Sequence, residues 1–156
     1  MRWLHFLIAL GIFTLDQLTK ALVEARIPLH DDRAIVPGFF RLTHVKNRGA
    51  AFGIFAESPW PKIWLLILLS AIALGVVLTL LWRHQATARR TGVGLALILG
   101  GAIGNVIDRL LYGHVVDFLD FHLKAFGHFP AFNVADSAIC IGAGLFILDE
   151  LRRVNR

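Results

Sequence analysis

The chain has 156 residues, of which 56% are hydrophobic and only 17% are charged. A soluble domain carries about 25% charged residues, so this composition and the mean hydropathy of +0.65 exclude an ordinary soluble domain and indicate an integral membrane protein. The formal charge of +5 does not predict nucleic acid as a partner. The arginines stand at the ends of apolar runs, where they act as topology signals and contact membrane phospholipid.

Four apolar runs are candidates for membrane-spanning helices. The first, residues 3–23, begins like a signal peptide but lacks a small-residue cleavage site, so we interpret it as a retained helix. The second, residues 63–82, carries no charge and has the length needed to cross the hydrocarbon. The others are residues 93–111 and 131–148. The prediction is an all-α membrane protein with four transmembrane helices, forming a single domain over residues 1–156.

Four spans place both termini on one side of the membrane. Lys and Arg residues are equally numerous on the two sides, seven each, but on the terminal side they are concentrated in short segments. That density favours cytoplasmic termini, although the plain count does not decide the orientation.

Polar residues interrupt the second half of the first run. Asp16 and Lys20 are four residues apart, so they share a helix face and can form an ion pair. A structural pair is the preferred interpretation, because pairing already accounts for the burial of both charges. Support of a nearby functional site is the alternative.

The third run contains a small-residue face at Gly100 and Gly104, which permits close approach of another helix. Asn105, Asp108 and Arg109 follow at i, i+3 and i+4 and share a face that must turn inward. Two interpretations stay open for them. One is a polar cluster that holds helices together, and the other is a functional site in which the Arg109 guanidinium grips a substrate carbonyl or a lipid phosphate.

Two segments outside the runs have their own patterns. Residues 33–55 are rich in Phe, Val, Ile and Thr, with Pro37-Gly38 as a turn signal, so we predict a small extramembrane β-element between helices 1 and 2. It ends in a loop in which Asn47 precedes Gly49, a residue that allows close approach to a bound chain. A plain loop is preferred to a binding loop. Residues 119–129 mix aromatic and polar side chains, which suits a segment at the membrane interface.

Two aspartates stand at matching boundaries of the last two runs. Asp117 follows the third run, while Asn133, a candidate N-cap, and Asp136 open the fourth. The positive end of a helix explains one carboxylate in a first turn, but not a second at the same depth. If the two runs are antiparallel neighbours, Asp117 and Asp136 meet on one side of the membrane. Two carboxylates facing each other in a partly dry site are typical of aspartic-protease chemistry.

Other chemistries have weaker support. Cys140 is the single cysteine, so no intrachain disulfide can form, and a packing role is preferred to a catalytic thiol. The seven histidines show no metal-ligand spacing tied to a carboxylate, so we expect neither metal nor cofactor. A proton-coupled transporter and a purely structural bundle are the rival classes. The uncharged second helix and the clustering of polar residues near one surface argue against a continuous transport path.

Five blocks occur in order over nearly the whole chain: Asp16-Gln-Leu-Thr-Lys20, Asn47-Arg-Gly-Ala-Ala-Phe52, Gly100-Gly-Ala-Ile-Gly-Asn-Val-Ile-Asp-Arg109, Val115-Val-Asp-Phe118 and Phe129-Pro-Ala-Phe-Asn-Val-Ala-Asp-Ser137. Each is weak alone, but together they resemble the bacterial lipoprotein signal peptidase family, also called signal peptidase II. The resemblance implies an inner-membrane aspartic endopeptidase that removes the signal peptide from diacylglyceryl-modified prolipoproteins, cutting before the lipidated cysteine.

The resemblance also implies residue roles, without a cofactor. Asp117 and Asp136 resemble the catalytic pair, with water activated between them. The substrate-binding shell would be Asn47, Gly49, Asn105, Arg109 and Asn133, and the supporting residues Asp16 and Lys20. The active site would face the periplasm, and the β-element would cradle the substrate. We expect the chain to act as a monomer.

Overall fold

The computed structural model describes residues 2–49, 61–83, 89–123 and 127–154. Within these ranges, helices and short strands follow one another in a mixed order. They are α1 (Arg2–Arg26), β1 (Asp32–Val36), β2 (Phe40–Asn47), α2 (Pro61–Arg83), α3 (Arg89–Tyr112), β3 (Val115–Leu123), β4 (Gly127–His128) and α4 (Val134–Val154). Part of the predicted loop after Asn47, residues 50–55, lies outside the described residues.

Three segments among the described residues are long and apolar enough to cross a membrane: Trp3–Arg26, Ile63–Arg83 and Arg90–Tyr112. Helix α4 has 21 residues, but acidic side chains near both of its ends dilute its apolar stretch. The structure is therefore mostly helical with three candidate membrane helices, and the count of four stays a prediction. Helix α4 begins three residues later than predicted, because Phe132 pairs with Leu119 of the sheet.

Helix α3 lies at the centre and contacts α1, α2 and α4. Glycines allow the close approaches of α3 to α1 and α4, as predicted for Gly100 and Gly104. A Cβ on Gly100 would collide with the main chain of Ala9 in α1, and one on Gly101 would collide with the main chain of Ala135 in α4. Close helix approach through small residues lets polar side chains on three helices reach one another.

The strands form an antiparallel sheet in the order β1-β2-β3-β4. Strands β1 and β2 and the turn at Gly38, whose φ is +72°, confirm the β-element predicted between the first two helices. That prediction was incomplete, because the connection between α3 and α4 supplies two further strands. Much of the segment 119–129, for which no strand was predicted, forms the end of β3 and β4.

An irregularity in the sheet shapes the surroundings of Asp117. Thr43 and His44 of β2 stand opposite a single residue of β3, Phe118, because the register shifts between Leu42↔Leu119 and Val45↔Asp117. Extra residues of this kind bend a strand and re-aim its side chains. Strand β3 is irregular at the same place, because the N–H groups of Phe118 and Leu119 both donate to the carbonyl oxygen of Phe132, at 3.0 and 2.8 Å. Asp117 and Asp120, three residues apart, line the same cavity, whereas in a regular strand they would face opposite sides.

Candidate active site

Asp117 lies on β3 with only 3% of its surface exposed. Each of its carboxylate oxygens accepts a hydrogen bond from a side-chain amide. Nδ2 of Asn47 donates to Oδ2 at 2.8 Å, and Nδ2 of Asn133 donates to Oδ1 at 2.8 Å. The sheet positions Asn47 at the end of β2, and the entry to α4 positions Asn133. Three separate elements thus converge on one carboxyl group.

Asp136 lies in the first turn of α4 and is also buried. Its main-chain N–H donates to Oδ1 of Asn133 at 2.9 Å, which confirms Asn133 as the N-cap. Its Oδ1 accepts a hydrogen bond from Nδ2 of Asn105 at 2.8 Å. The Asn133 side chain therefore contacts both aspartates, Asp117 with its amide nitrogen and Asp136 with its oxygen. The structure brings the two predicted acids together at one end of the helices.

The two carboxyl groups lie near enough to influence each other's charge. Burial raises the pKa of Asp117 to about 7, and the negative charge of Asp136 acts in the same direction. The hydrogen bonds from Asn47 and Asn133 oppose this shift because they stabilise the ionised form. Asp117 can therefore gain or lose a proton near neutral pH, as acid–base chemistry in water requires.

Lys20 holds a buried ionic cluster beside the pair. Its Nζ donates to Oδ2 of Asp16 at 2.6 Å and to Oδ2 of Asp108 at 2.5 Å, so the predicted ion pair of α1 is confirmed and gains a second acid from α3. The other oxygen of Asp16 accepts the main-chain N–H of Ala135 at 2.9 Å. One cation and two carboxylates thus join α1, α3 and α4 directly behind Asp136.

This cluster also orients Asn105. Nζ of Lys20 donates to Oδ1 of Asn105 at 3.0 Å, which fixes which end of that amide carries the oxygen. The nitrogen end is then directed at Asp136. Lys20 therefore acts on Asp136 through Asn105.

Arg109 connects α3 to the segment after β2. Its Nη2 donates to the carbonyl oxygen of Gly49 at 3.1 Å, and its Nη1 to that of Asn105 at 3.3 Å. The N–H of Gly49 in turn donates to Oδ1 of Asn47 at 2.8 Å, so the nitrogen of that amide faces Asp117. Within the described residues, Nε of Arg109 is buried without an acceptor. The site thus contains an unused positively charged donor.

A polar cavity of about 400 Å³ extends from Asp117 and Asn47 along the sheet to Arg41 and Asp120. Nη2 of Arg41 lies 2.6 Å from Oδ2 of Asp120, and its Nη1 lies 2.6 Å from Oδ2 of Asp32. Arg41 and Asp120 were not predicted as site residues. The three-residue spacing of Asp117 and Asp120 predicts opposite faces of a strand, and the register irregularity that brings them together left no recognisable pattern.

Cys140 corrects one expectation. Its side chain is exposed on the outward face of α4, so Cys140 is not a core packing residue. Among the residues that the structure describes, no group of three or more His, Cys, Asp or Glu side chains is placed to hold a metal ion.

Apolar helices long enough to cross a membrane, with two buried carboxyl groups at one end that accept hydrogen bonds from side-chain amides, define a membrane-embedded protein. A sequence model of the family described as signal peptidase (SPase) II matches residues 8–152. The lipoprotein signal peptidase of Paraburkholderia phymatum is 52% identical over 148 residues, covering 95% of this chain and 87% of the relative. That of Ralstonia nicotianae is 53% identical over 142 residues, covering 91% and 80%. The chain belongs to the signal peptidase II family.

Solved structures agree with this assignment. One, described as a bacterial membrane enzyme structure obtained by the in meso method, has a TM-score of 0.86 and 32% identity, covering 96% of this chain and 88% of that chain. A second with the same description has a TM-score of 0.83 and 33% identity, covering 94% and 92%. Because the family is one of peptidases, the transporter and structural-bundle interpretations are set aside.

Proposed function

We propose that this chain is an aspartic endopeptidase that removes the signal peptide from diacylglyceryl-modified prolipoproteins, cutting before the lipidated cysteine. The observation that carries the proposal is the burial of Asp117 and Asp136 side by side, with Asn133 bonded to both. The name of the relatives, lipoprotein signal peptidase, supports the class of substrate.

Asp117 and Asp136 share one proton in this mechanism, because two like charges in a dry site cannot both ionise cheaply. The ionised carboxylate takes a proton from a water molecule held between the two, and the water oxygen forms a bond to the scissile carbonyl carbon. The protonated carboxyl polarises the carbonyl oxygen. When the C–N bond breaks, a proton passes to the leaving nitrogen and the pair returns to its starting state.

The polar residues around the pair have separate tasks. Asn47 and Asn133 keep the carboxyl group of Asp117 in place, and Asn105 does the same for Asp136. Preorganised donors of this kind need no rearrangement during the reaction. Arg109, whose Nε is unused within the described residues, binds a substrate carbonyl. Gly49 links Arg109 to Asn47, because its carbonyl oxygen accepts a hydrogen bond from Arg109 and its N–H donates one to Asn47.

Asp16 and Lys20 support the site from behind. Neither is the attacking group, because each is already bonded within the buried cluster. Their contribution is to hold Asn105 and the first turn of α4 at a fixed distance from β3. Loss of either would displace Asp136 rather than remove a reacting atom.

The substrate approaches from two directions. Its acyl chains and signal peptide enter laterally between the apolar helices, and its extramembrane part lies in the cavity between Asp117 and Arg41. The chain acts as a monomeric domain of residues 1–156 in the bacterial inner membrane, surrounded by phospholipid. Four helices cross the membrane, both termini are cytoplasmic, and the site faces the periplasm.

Cleavage of a synthetic lipidated precursor in detergent, followed by mass spectrometry of the products, tests the mechanism. Asp117→Asn and Asp136→Asn are each expected to lower turnover by about 10²–10⁴-fold, since each removes an acid–base group. Asp31→Asn is the matched control. The Asp31 carboxylate is exposed and accepts the main-chain N–H of Asp32 at 2.8 Å, which an amide oxygen also accepts. Near-normal turnover in both test variants would show the mechanism to be wrong.

A further inference from the structure

A second groove, of about 400 Å³, lies between the last turns of α1 and the sheet. Its floor is formed by the buried side chains of Val23, Ile27 and Phe118, which belong to one apolar cluster. Its rim includes Leu22 and Ile35, which are 49% and 53% exposed. Neither Asp117 nor Asp136 lines this groove. The groove thus offers an apolar channel separate from the candidate active site.

Two guanidinium groups line the same groove, Arg26 from α1 and Arg33 from β1. Nη2 of Arg33 donates to the carbonyl oxygen of Arg26 at 2.9 Å, which keeps the two residues together. Within the described part of the chain, neither guanidinium pairs with a carboxylate. The neighbouring acids, Glu24 and Asp32, face other basic side chains. Two positive charges therefore stand uncompensated beside an apolar channel.

The position of the groove relative to the membrane narrows the class of ligand. The apolar segment of α1 ends at Arg26, so the two arginines lie where the helix leaves the hydrocarbon, at the level of lipid headgroups. A guanidinium donates two parallel hydrogen bonds to a phosphate. Free phosphate would leave the apolar channel unused, and a lipid without net charge would leave the two cations uncompensated.

We propose that this groove binds one anionic phospholipid, with its phosphate between Arg26 and Arg33 and one acyl chain over Val23, Ile27 and Phe118. Phe118 directly follows Asp117 on β3, but Phe118 lines the groove whereas Asp117 lines the cavity beside Arg41. The binding site itself is independent of the proposed peptidase mechanism, because it shares no reacting group with it.

The test is native mass spectrometry of the full chain in uncharged detergent, titrated with dioleoyl phosphatidylglycerol or dioleoyl phosphatidylcholine. The unmodified chain is expected to retain one phosphatidylglycerol and to bind phosphatidylcholine far more weakly. The double variant Arg26→Gln, Arg33→Gln should bind phosphatidylglycerol about thirtyfold more weakly, from the contribution of two arginines at a membrane surface. Leu22→Asn should weaken binding without any change of charge.

The matched control is Arg90→Gln, Arg152→Gln, which removes the same charge from two exposed arginines outside the groove. It is expected to bind like the unmodified chain, and an equal loss would overturn the proposal by showing that net charge alone attracts the lipid. Competition by glycerol phosphate as effective as by the whole lipid would also overturn it, as would displacement of the lipid by a lipidated substrate peptide. Retained cleavage by Arg26→Gln, Arg33→Gln, with its lipid binding lost, supports a separate site in a folded chain.

Discussion

Asn133 shows how tightly single residue types are specified at this site. Its side chain is fully buried and uses both ends, since the nitrogen donates to Asp117 and the oxygen accepts the N–H of Asp136. An aspartate here would still cap the helix, but it has no donor for Asp117 and would add a third carboxyl group. The amide is the group that caps α4 and bonds a carboxylate at once.

The burial of Asp117 predicts the pH dependence of cleavage. Burial, together with the charge of Asp136, raises the pKa of Asp117 to about 7, so the pair loses its shared proton as the pH rises through that value. We expect kcat/KM to fall above about pH 7. Asn47→Ala removes a hydrogen bond that favours the ionised carboxylate, so the pKa of Asp117 should rise and the falling limb should move to higher pH. A pH–rate profile of both proteins measures this.

The raised pKa of Asp117 also predicts how the free energy of unfolding depends on pH. The ordinary pKa of Asp117 is 3.8 and its folded value is about 7, so between these values the folded chain binds more protons than the unfolded one. The free energy of unfolding contributed by this group is therefore present below about pH 4 and is lost as the pH rises to about 7. Asp117→Asn should lack that loss. For cleavage, a kcat/KM profile that stays flat from pH 6 to 9 would contradict a pKa of about 7 for Asp117.

Lys20 is the residue whose loss should cost the most stability. It neutralises two buried carboxylates, Asp16 at 2.6 Å and Asp108 at 2.5 Å. Lys20→Met leaves both acids uncompensated, so the free energy of unfolding should fall by about 3–5 kcal/mol. Lys46→Met is the control, because Lys46 is exposed and lies 3.9 Å from Glu24; its effect should stay below about 1 kcal/mol. Equal losses in detergent unfolding would show that the cluster is not a stabilising one.

Among the helices, the contact between α3 and α4 depends on two glycines that face each other. A Cβ on Gly142 would collide with the carbonyl of Gly94 and lie 2.8 Å from Cγ1 of Ile98, whereas one on Gly144 would meet nothing within 4 Å. Gly142→Ala should therefore destabilise the protein by about 1–3 kcal/mol. Gly144→Ala on the same helix should be neutral or stabilise by up to about 1 kcal/mol. Thermal unfolding of the pair decides the matter, and indistinguishable midpoints would refute it.

Some of the helices and strands could be predicted from the sequence, and others could not. Long apolar runs and the Pro37-Gly38 turn predict most of the helices and the first hairpin, because hydropathy and turn chemistry are local properties. Strand β3 was not predicted. Its polar residues Asp117 and Asp120 recur at an interval of three, which matches no regular strand. The irregularity between them depends on pairing with β2 and with Phe132, and residue spacing within β3 does not show such pairing.

In the candidate site too, local spacing could be predicted from the sequence, whereas contacts between distant segments could not. Spacing placed Asn105, Asp108 and Arg109 on one inward face, and the structure buries all three. Spacing does not tell which helix that face meets. The bond from Lys20 to Asp108 and the one from Arg109 to the carbonyl of Gly49 depend on contacts between residues 60 or more positions apart.

Across the whole molecule, the two ends of the bundle have different characters. One end contains the candidate site, where the later part of α1, the end of α3 and the start of α4 meet. At the other end, Thr91 near the start of α3 donates to the carboxylate of Asp149 near the end of α4, and His5 of α1 lies beside Gly92. The beginning of α1 and the end of α4 therefore lie together, opposite the site.

This arrangement predicts the topology in the membrane. If α4 spans the bilayer in the proposed orientation, Val154 is cytoplasmic and Asp31, which is exposed beside the sheet, is periplasmic. In a Cys140→Ser background, a membrane-impermeant maleimide applied to intact spheroplasts should label Asp31→Cys at once. Val154→Cys, at a position that is 83% exposed, should react only after the membrane is disrupted. The parent Cys140→Ser gives the background. Labelling of both cysteines from outside would mean that α4 does not cross the membrane. The reverse pattern would place the site in the cytoplasm. The positively charged segments at residues 83–90 and 152–156 would then face the periplasm, against the positive-inside rule.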